Sequence, residues 1–185
     1  MRTRLARPED VATISRLIAQ FVAVGLLLPR SPEEVRAHLD RFIVLTELVP
    51  ALDAAPGAAP KEERLLGCVA LEPYGRDLAE VRSLAVRPDE QGRGLGGRLL
   101  EAAIRTARRR KIARIFAVTH APELFERHGF ITLAREAVPD KIDRDCKGCS
   151  KRRHCKLVTL VAVVCSERVT LPVVEAVPAK ACASA

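Results

Sequence analysis

Apolar positions along this chain change period several times, and each change marks an element. Val11, Ile14, Leu17, Ile18 and Phe21 recur at helical spacing and predict an amphipathic helix from Pro8 to about Val22. Ser31-Pro32-Glu33-Glu34 predicts a second start, with Ser as cap, Pro at the first helical position and Glu three after the cap. That helix runs to about Asp40. Leu95, Leu99, Ala103, Ile104 and Ala107 form the buried stripe of a long helix over residues 93–110, with arginines on its other face. Residues 122–128 read as a short helix stopped by Gly129. Shorter runs at 3–6, 42–49, 65–72, 79–86, 112–119, 130–138 and 157–165 read as strands. The order β-α-α-β-β-β-α-β-α-β-β predicts an α/β fold with a mixed sheet.

One domain over residues 1–165 is expected, since 185 residues at 48% hydrophobic content can bury a core. Residues 50–63 are rich in Ala and Pro and are expected to form a mobile loop. Residues 139–156 collect Cys, Lys and Arg, and 166–185 form an Ala/Val/Pro-rich tail, expected to be disordered or to wrap the surface. The net charge of +8 fits a polyanionic partner, either nucleic acid or a small phosphorylated or carboxylated ligand. With 3% aromatics and no Trp, base stacking is a weak option. The charged first ten residues lack the apolar segment of a signal peptide. The longest apolar runs, 21–28 and 157–165, fall short of the roughly 20 residues a membrane helix needs. The expectation is a cytoplasmic protein without a membrane partner, whose six Cys stay reduced, free or metal-bound.

The chemistry begins at Gln91-Gly92-Arg93-Gly94-Leu95-Gly96, between a strand and the long helix. Glycines there reach positive φ and let backbone approach a ligand. The first-turn N–H groups and the helix dipole then favour a phosphate or pyrophosphate. The spacing is not Gly-x-Gly-x-x-Gly, and no Gly-Lys-Ser/Thr triplet follows. Gln-x-x-Gly-x-Gly after a Leu-x-Val strand resembles the acetyl-CoA pyrophosphate loop of the GNAT acetyltransferases. The resemblance covers residues 3 to about 165. It implies the GNAT fold, a mostly antiparallel mixed sheet flanked by helices. It also implies acetyl-CoA as cosubstrate, and backbone N–H groups of Leu84, Ala85 and Val86 facing the reacting carbonyl.

Further segments resemble the N-acetylglutamate synthases of arginine biosynthesis: residues 26–31 (Leu-Leu-Leu-Pro-Arg-Ser), 80–86 (Glu-Val-Arg-Ser-Leu-Ala-Val), 125–130 (Phe-Glu-Arg-His-Gly-Phe) and Asp145-Cys-x-x-Cys149. The resemblance is to the short bacterial type, without the arginine-sensing kinase-like domain. It implies L-glutamate as acceptor, attacked directly in a ternary complex, and leaves a homodimer open. Glu80, at the start of its strand, is the candidate base, with His120 as competitor. Two carboxylates on the acceptor call for cations. Arg30 is the first candidate, and Arg82 the second because it shares a strand face with Glu80. A Glu80–Arg82 ion pair is a third arrangement of the same face. Many family members place a proton-donating Tyr where this chain has Phe125, which leaves water, or no acid, to assist the thiolate.

Cys146-x-x-Cys149, with His154 and Cys155, has spacing that could hold Zn²⁺, with Cys146, Cys149 and Cys155 as candidate ligands. Free thiols in a lid over the acceptor site are the default. The basic residues among them support a rival class, a small metal-stabilised nucleic-acid-binding module. That rival leaves residues 91–96 unexplained. An acetyltransferase with another amine acceptor is the nearer alternative.

Overall fold

The computed structural model of the chain describes residues 1–50, 61–147 and 155–165. Among these residues, seven strands form one sheet in the order β1-β2-β3-β4-β5-β7-β6. They are β1 (Arg2–Leu5), β2 (Phe42–Pro50), β3 (Lys61–Pro73), β4 (Leu78–Val86), β5 (Arg114–Thr119), β6 (Ile131–Leu133) and β7 (Val158–Val163). Among these pairs only β4 and β5 run parallel. The expected α/β mixed sheet is therefore present.

The helices cover both faces. A 3₁₀ turn at Pro8–Asp10 leads into α1 (Val11–Ala23), whose buried face is Val11, Ile14, Leu17 and Ile18. The Ser31 cap works as its sequence predicts. Its hydroxyl accepts from the Glu34 N–H at 3.2 Å, and the Glu34 carboxylate accepts from the Ser31 N–H at 2.8 Å. The helix it starts, α2 (Pro32–Ala37), is shorter than expected and passes into a 3₁₀ turn at Leu39–Arg41. α3 (Leu95–Arg109) lies across β2, β3 and β4, and α4 (Pro122–Glu126) follows β5.

Strand alternation sorts the core into layers. Ile43, Leu45, Leu66, Val69, Leu71, Ala79 and Val81 pack with α3, whereas Phe42, Val44, Cys68, Ala70 and Ala85 pack with α1. On the β5–β7 half of the sheet, Tyr74, Phe116, Val138 and Val161 form a third cluster.

Three expectations are corrected. The strand expected at 130–138 ends at Leu133. The chain then turns through Arg135–Ala137 into α5 (Pro139–Lys141), which continues as one π-helical turn, Ile142–Cys146. Val138 is buried there against Tyr74 and Phe116, and Pro139 starts the helix. Pro50 and residues 61–63, expected in the loop, are paired strand ends (Pro50↔Lys61, Val49↔Glu62, Leu48↔Glu63). The long helix begins at Leu95 rather than Arg93, because Gly94 before it is left-handed. The rest of the expected loop (51–60) and the tail from 166 lie outside the described residues. Among those described, no helix is long and apolar enough to cross a membrane.

Candidate active site

β4 and β5 pair only over Leu78↔Arg114, Ala79↔Ile115 and Glu80↔Phe116. Past that point β5 stays with β7 to Thr119, and β4 stays with β3 to Val86. The two strands therefore part, and among the described residues β4 from Val81 onward has no strand partner on that side. Ser83 sits in this stretch with φ of 52°, beside a register shift in the β3–β4 ladder. A non-glycine residue in left-handed backbone here marks a bulge. It shifts the side-chain phase. Ala79 and Val81 face α3, then Leu84 and Val86 do, while Ala85 faces α1. Leu84, Ala85 and Val86 thus line the β4 edge of the gap.

The gap leads to the glycine-rich loop. Gly92 and Gly94 have φ of 78° and 72°. Gly94 caps α3, so the N–H groups of Leu95, Gly96 and Gly97 lack intrahelical acceptors. Gln91 ties the loop back to the strand, its side-chain amide donating to the Val86 carbonyl at 3.3 Å. Buried Glu90 braces it further, paired with Arg64 at 3.2 Å and with Arg93. A Cβ on Gly67 would stand 2.7 Å from the Ala85 carbonyl oxygen and 2.8 Å from Leu99 Cδ1, so glycine in β3 lets α3 seat against the strand.

At the other end of the gap lies an ionic cluster. Glu80 is buried, at 4% exposure. Its Oε2 accepts from Arg82 Nε at 2.9 Å, from Arg82 Nη2, and from Lys141 Nζ at 3.0 Å, and its Oε1 lies 2.9 Å from Lys141 Nζ. The Glu80–Arg82 pair is therefore formed. Asp145 Oδ2 accepts from Lys141 Nζ at 2.6 Å, Tyr74 O–H at 2.8 Å and Arg82 Nη2 at 3.0 Å. Tyr74 has one proton to give and also lies 3.2 Å from Glu80 Oε2. Arg144 covers the Tyr74 ring at 4.6 Å and pairs with Glu72, which Arg41 holds at 2.7 Å.

Environment sets the protonation states. Burial first, then the Glu80 charge, pushes the Tyr74 phenol well above its ordinary range, so it remains a donor. Burial works against the Arg82 charge, but Glu80 outweighs it and the guanidinium is held above its usual value. Burial also opposes ionisation of Asp145, yet the hydrogen bonds from Lys141 and Tyr74 win and bring its carboxyl down to about 2.

Other candidates lie apart from this cluster. Arg30 sits in the α1–α2 connector, 3.7 Å from Glu34, and its carbonyl accepts from buried Ser15 of α1 at 3.1 Å. The connector therefore lies on the sheet face that Glu80 and Arg82 also present. His120 is exposed just past β5. Phe125 is buried edge-on to Phe130. Cys146 and Cys155 are free thiols, and Cys149 lies outside the described residues. Among the described residues, no group of three or more His, Cys, Asp or Glu is placed to hold a metal. Tyr74, Lys141 and the role of Asp145 escape the sequence reading. Tyr74 is the sole tyrosine, and Lys141 and Asp145 are an i,i+4 pair after a helix-starting Pro, which was the available signal.

Residues 21–130, which carry the split parallel pair, the β4 bulge and the glycine-rich helix start, match the model of the acetyltransferase (GNAT) family. The chain belongs to the GNAT family. An uncharacterised N-acetyltransferase of Chlorobaculum tepidum is 32% identical over 85% of this chain and 93% of its own length. An amino-acid acetyltransferase of Mycobacterium tuberculosis is 33% identical over 78% of this chain and 76% of its own. The N-acetylglutamate synthase of Neisseria gonorrhoeae, solved with coenzyme A and N-acetyl-glutamate, superposes on 88% of this GNAT chain with a TM-score of 0.71 at 30% identity. This chain spans only 35% of that longer protein.

Proposed function

We propose that this chain transfers the acetyl group of acetyl-CoA to the α-amine of L-glutamate, the reaction that opens arginine biosynthesis. The observation that carries the proposal is the gap between β4 and β5, with a helix N-terminus at one end and the Arg82–Lys141 ionic cluster at the other. In this reading the pyrophosphate of acetyl-CoA lies on the N–H groups of residues 92–97. The thioester enters the gap, and its carbonyl oxygen meets backbone N–H groups of Leu84 to Val86 as charge develops. Arg30 and Arg82 answer the two acceptor carboxylates.

Glu80 is the proposed base, acting through water at Oε1, for which Lys141 at 2.9 Å is the one ionic partner among the described residues. Oε2 is engaged by Arg82 and Lys141. Phe125 carries no proton, so the coenzyme A thiolate leaves to water. A relative named amino-acid acetyltransferase at 33% identity, and a solved relative holding coenzyme A with N-acetyl-glutamate, support this choice of acceptor.

The test is release of free thiol from acetyl-CoA with a panel of amino acids, on the wild type and on Arg30→Ala. Turnover on glutamate is expected. The glutamate KM should rise at least about tenfold in the variant, as loss of a charge-assisted hydrogen bond implies. Turnover on another amine alone would discard glutamate. A chain that does not bind acetyl-CoA would overturn the whole reading.

A further inference from the structure

The donors around Asp145 Oδ2 are a phenol, a guanidinium and an ammonium, all within 3.0 Å of one carboxylate oxygen. Such a set is a carboxylate receptor, and its geometry survives without Asp145. Arg82 is fixed by its Nε bond to Glu80 at 2.9 Å, and Lys141 by Glu80 Oε1 at 2.9 Å. The Tyr74 ring is fixed edge-on against Phe116 at 5.2 Å. Lys141 also follows buried Val138, which anchors the start of its segment in the core.

Asp145 itself is the outermost member. Its side chain is 26% exposed against 5% for Glu80, and among the described residues its Oδ1 has only Arg144 Nε, at 4.0 Å. It projects from a single π-helical turn outside the sheet. Glu80 is thus the floor of the cluster and Asp145 its mouth. Exchanging Asp145 for another carboxylate leaves the buried charge balance unchanged, so the exchange avoids the cost of stranding a buried cation.

We infer that Tyr74, Arg82 and Lys141 form the receptor for a carboxylate of the acceptor, and that Asp145 fills it in cis until the acceptor displaces it. The inference rests on the reading of a carboxylated acceptor and adds an internal competitor to it. Affinity for the acceptor is then set by how often Asp145 vacates the receptor, not only by the donors.

Glutarate tests this directly, because it carries two carboxylates and no amine to acetylate. With one tyrosine and no tryptophan in the chain, intrinsic emission reports on Tyr74 alone. Glutarate titrations followed by that emission should give an affinity at least about tenfold tighter in Asp145→Asn than in the wild type, since removing the competitor raises the competent fraction. Adding Arg82→Met to Asp145→Asn should abolish the gain. Equal or weaker binding in folded Asp145→Asn, or a gain that survives Arg82→Met, would overturn the inference. If Asp145→Asn does not fold, Asp145→Ser carries the same comparison. Tighter glutarate binding without glutamate turnover in either protein would uphold the receptor and discard glutamate as substrate. Glutamate turnover with unchanged glutarate binding would discard the receptor and leave the substrate standing.

Discussion

Glu72 and Glu80 stand directly opposite each other in the β3–β4 ladder, and both are buried. Like charges at such a position repel across about 5 Å. The fold answers with a separate pair of cations for each. Arg41 and Arg144 hold Glu72, while Arg82 and Lys141 hold Glu80. Counting Asp145, four cations meet three carboxylates, and the surplus positive charge suits an anionic acceptor.

Arg82→Met should therefore cost about 3 kcal/mol in urea unfolding, because it strands a buried carboxylate beside a second one. Part of that loss should return when Glu80→Gln is added, with a coupling of at least about 1 kcal/mol between the two changes. Strictly additive losses would mean that the pair is geometric and not energetic.

Gly94 and Gly96 should separate backbone conformation from mere proximity. At Gly94, φ is 72° and a Cβ would meet nothing within 4 Å, so Gly94→Ala is strained by backbone alone, by about 1 kcal/mol. The helix start must also re-aim its N–H groups, so the acetyl-CoA KM should rise about tenfold or more. A Cβ on Gly96 would make an ordinary 3.5 Å contact with Leu124. Gly96→Ala should be neutral or stabilising by up to about 0.5 kcal/mol and should move the KM less. Melting curves and initial rates on the two variants decide the matter.

Much of this site is local, and that part is legible in the sequence. Gln91 to Gly96 carries its own turn chemistry, and the period of two along β4 places Arg82 beside Glu80. The partners that fix the site come from elsewhere. Tyr74 sits past the end of β3, and Lys141 and Asp145 arrive from some 60 residues on. The run at 130–138 has the β-rich pattern of a strand, but tertiary packing of Val138 under Tyr74 turns the chain into the segment that brings Lys141 to Glu80. The cysteines there draw attention away from Asp145, which precedes Cys146.

Gly67→Ala tests whether the sheet's seat for α3 also shapes the gap. The clash includes the Ala85 carbonyl oxygen, which is backbone and yields at a cost. About 2 kcal/mol is expected. In a chain of this size that lowers the Tm by about 6 °C. Because the displaced atoms belong to β4 beside the proposed oxyanion N–H groups, kcat should fall as well. A variant that melts early yet keeps its kcat would separate the seat from the chemistry.

Acid should loosen the Asp145 contact in a defined window. The carboxyl ionises at about 2 in the folded chain and at 3.8 when unperturbed, so its contribution is a depressed-carboxylate one. Such a contribution is complete above the unfolded value and disappears as pH falls through the folded one. The urea midpoint of the wild type should exceed that of Asp145→Asn by a constant amount from neutral pH to about pH 4. The gap should then close between about pH 4 and pH 2. Glu72 is also held below its ordinary value, since Arg144 and Arg41 outweigh its burial, so both proteins should lose stability in acid. Only the difference between them isolates Asp145. A difference that persists unchanged below pH 2 would show that the Lys141 and Tyr74 contacts do not depend on its charge.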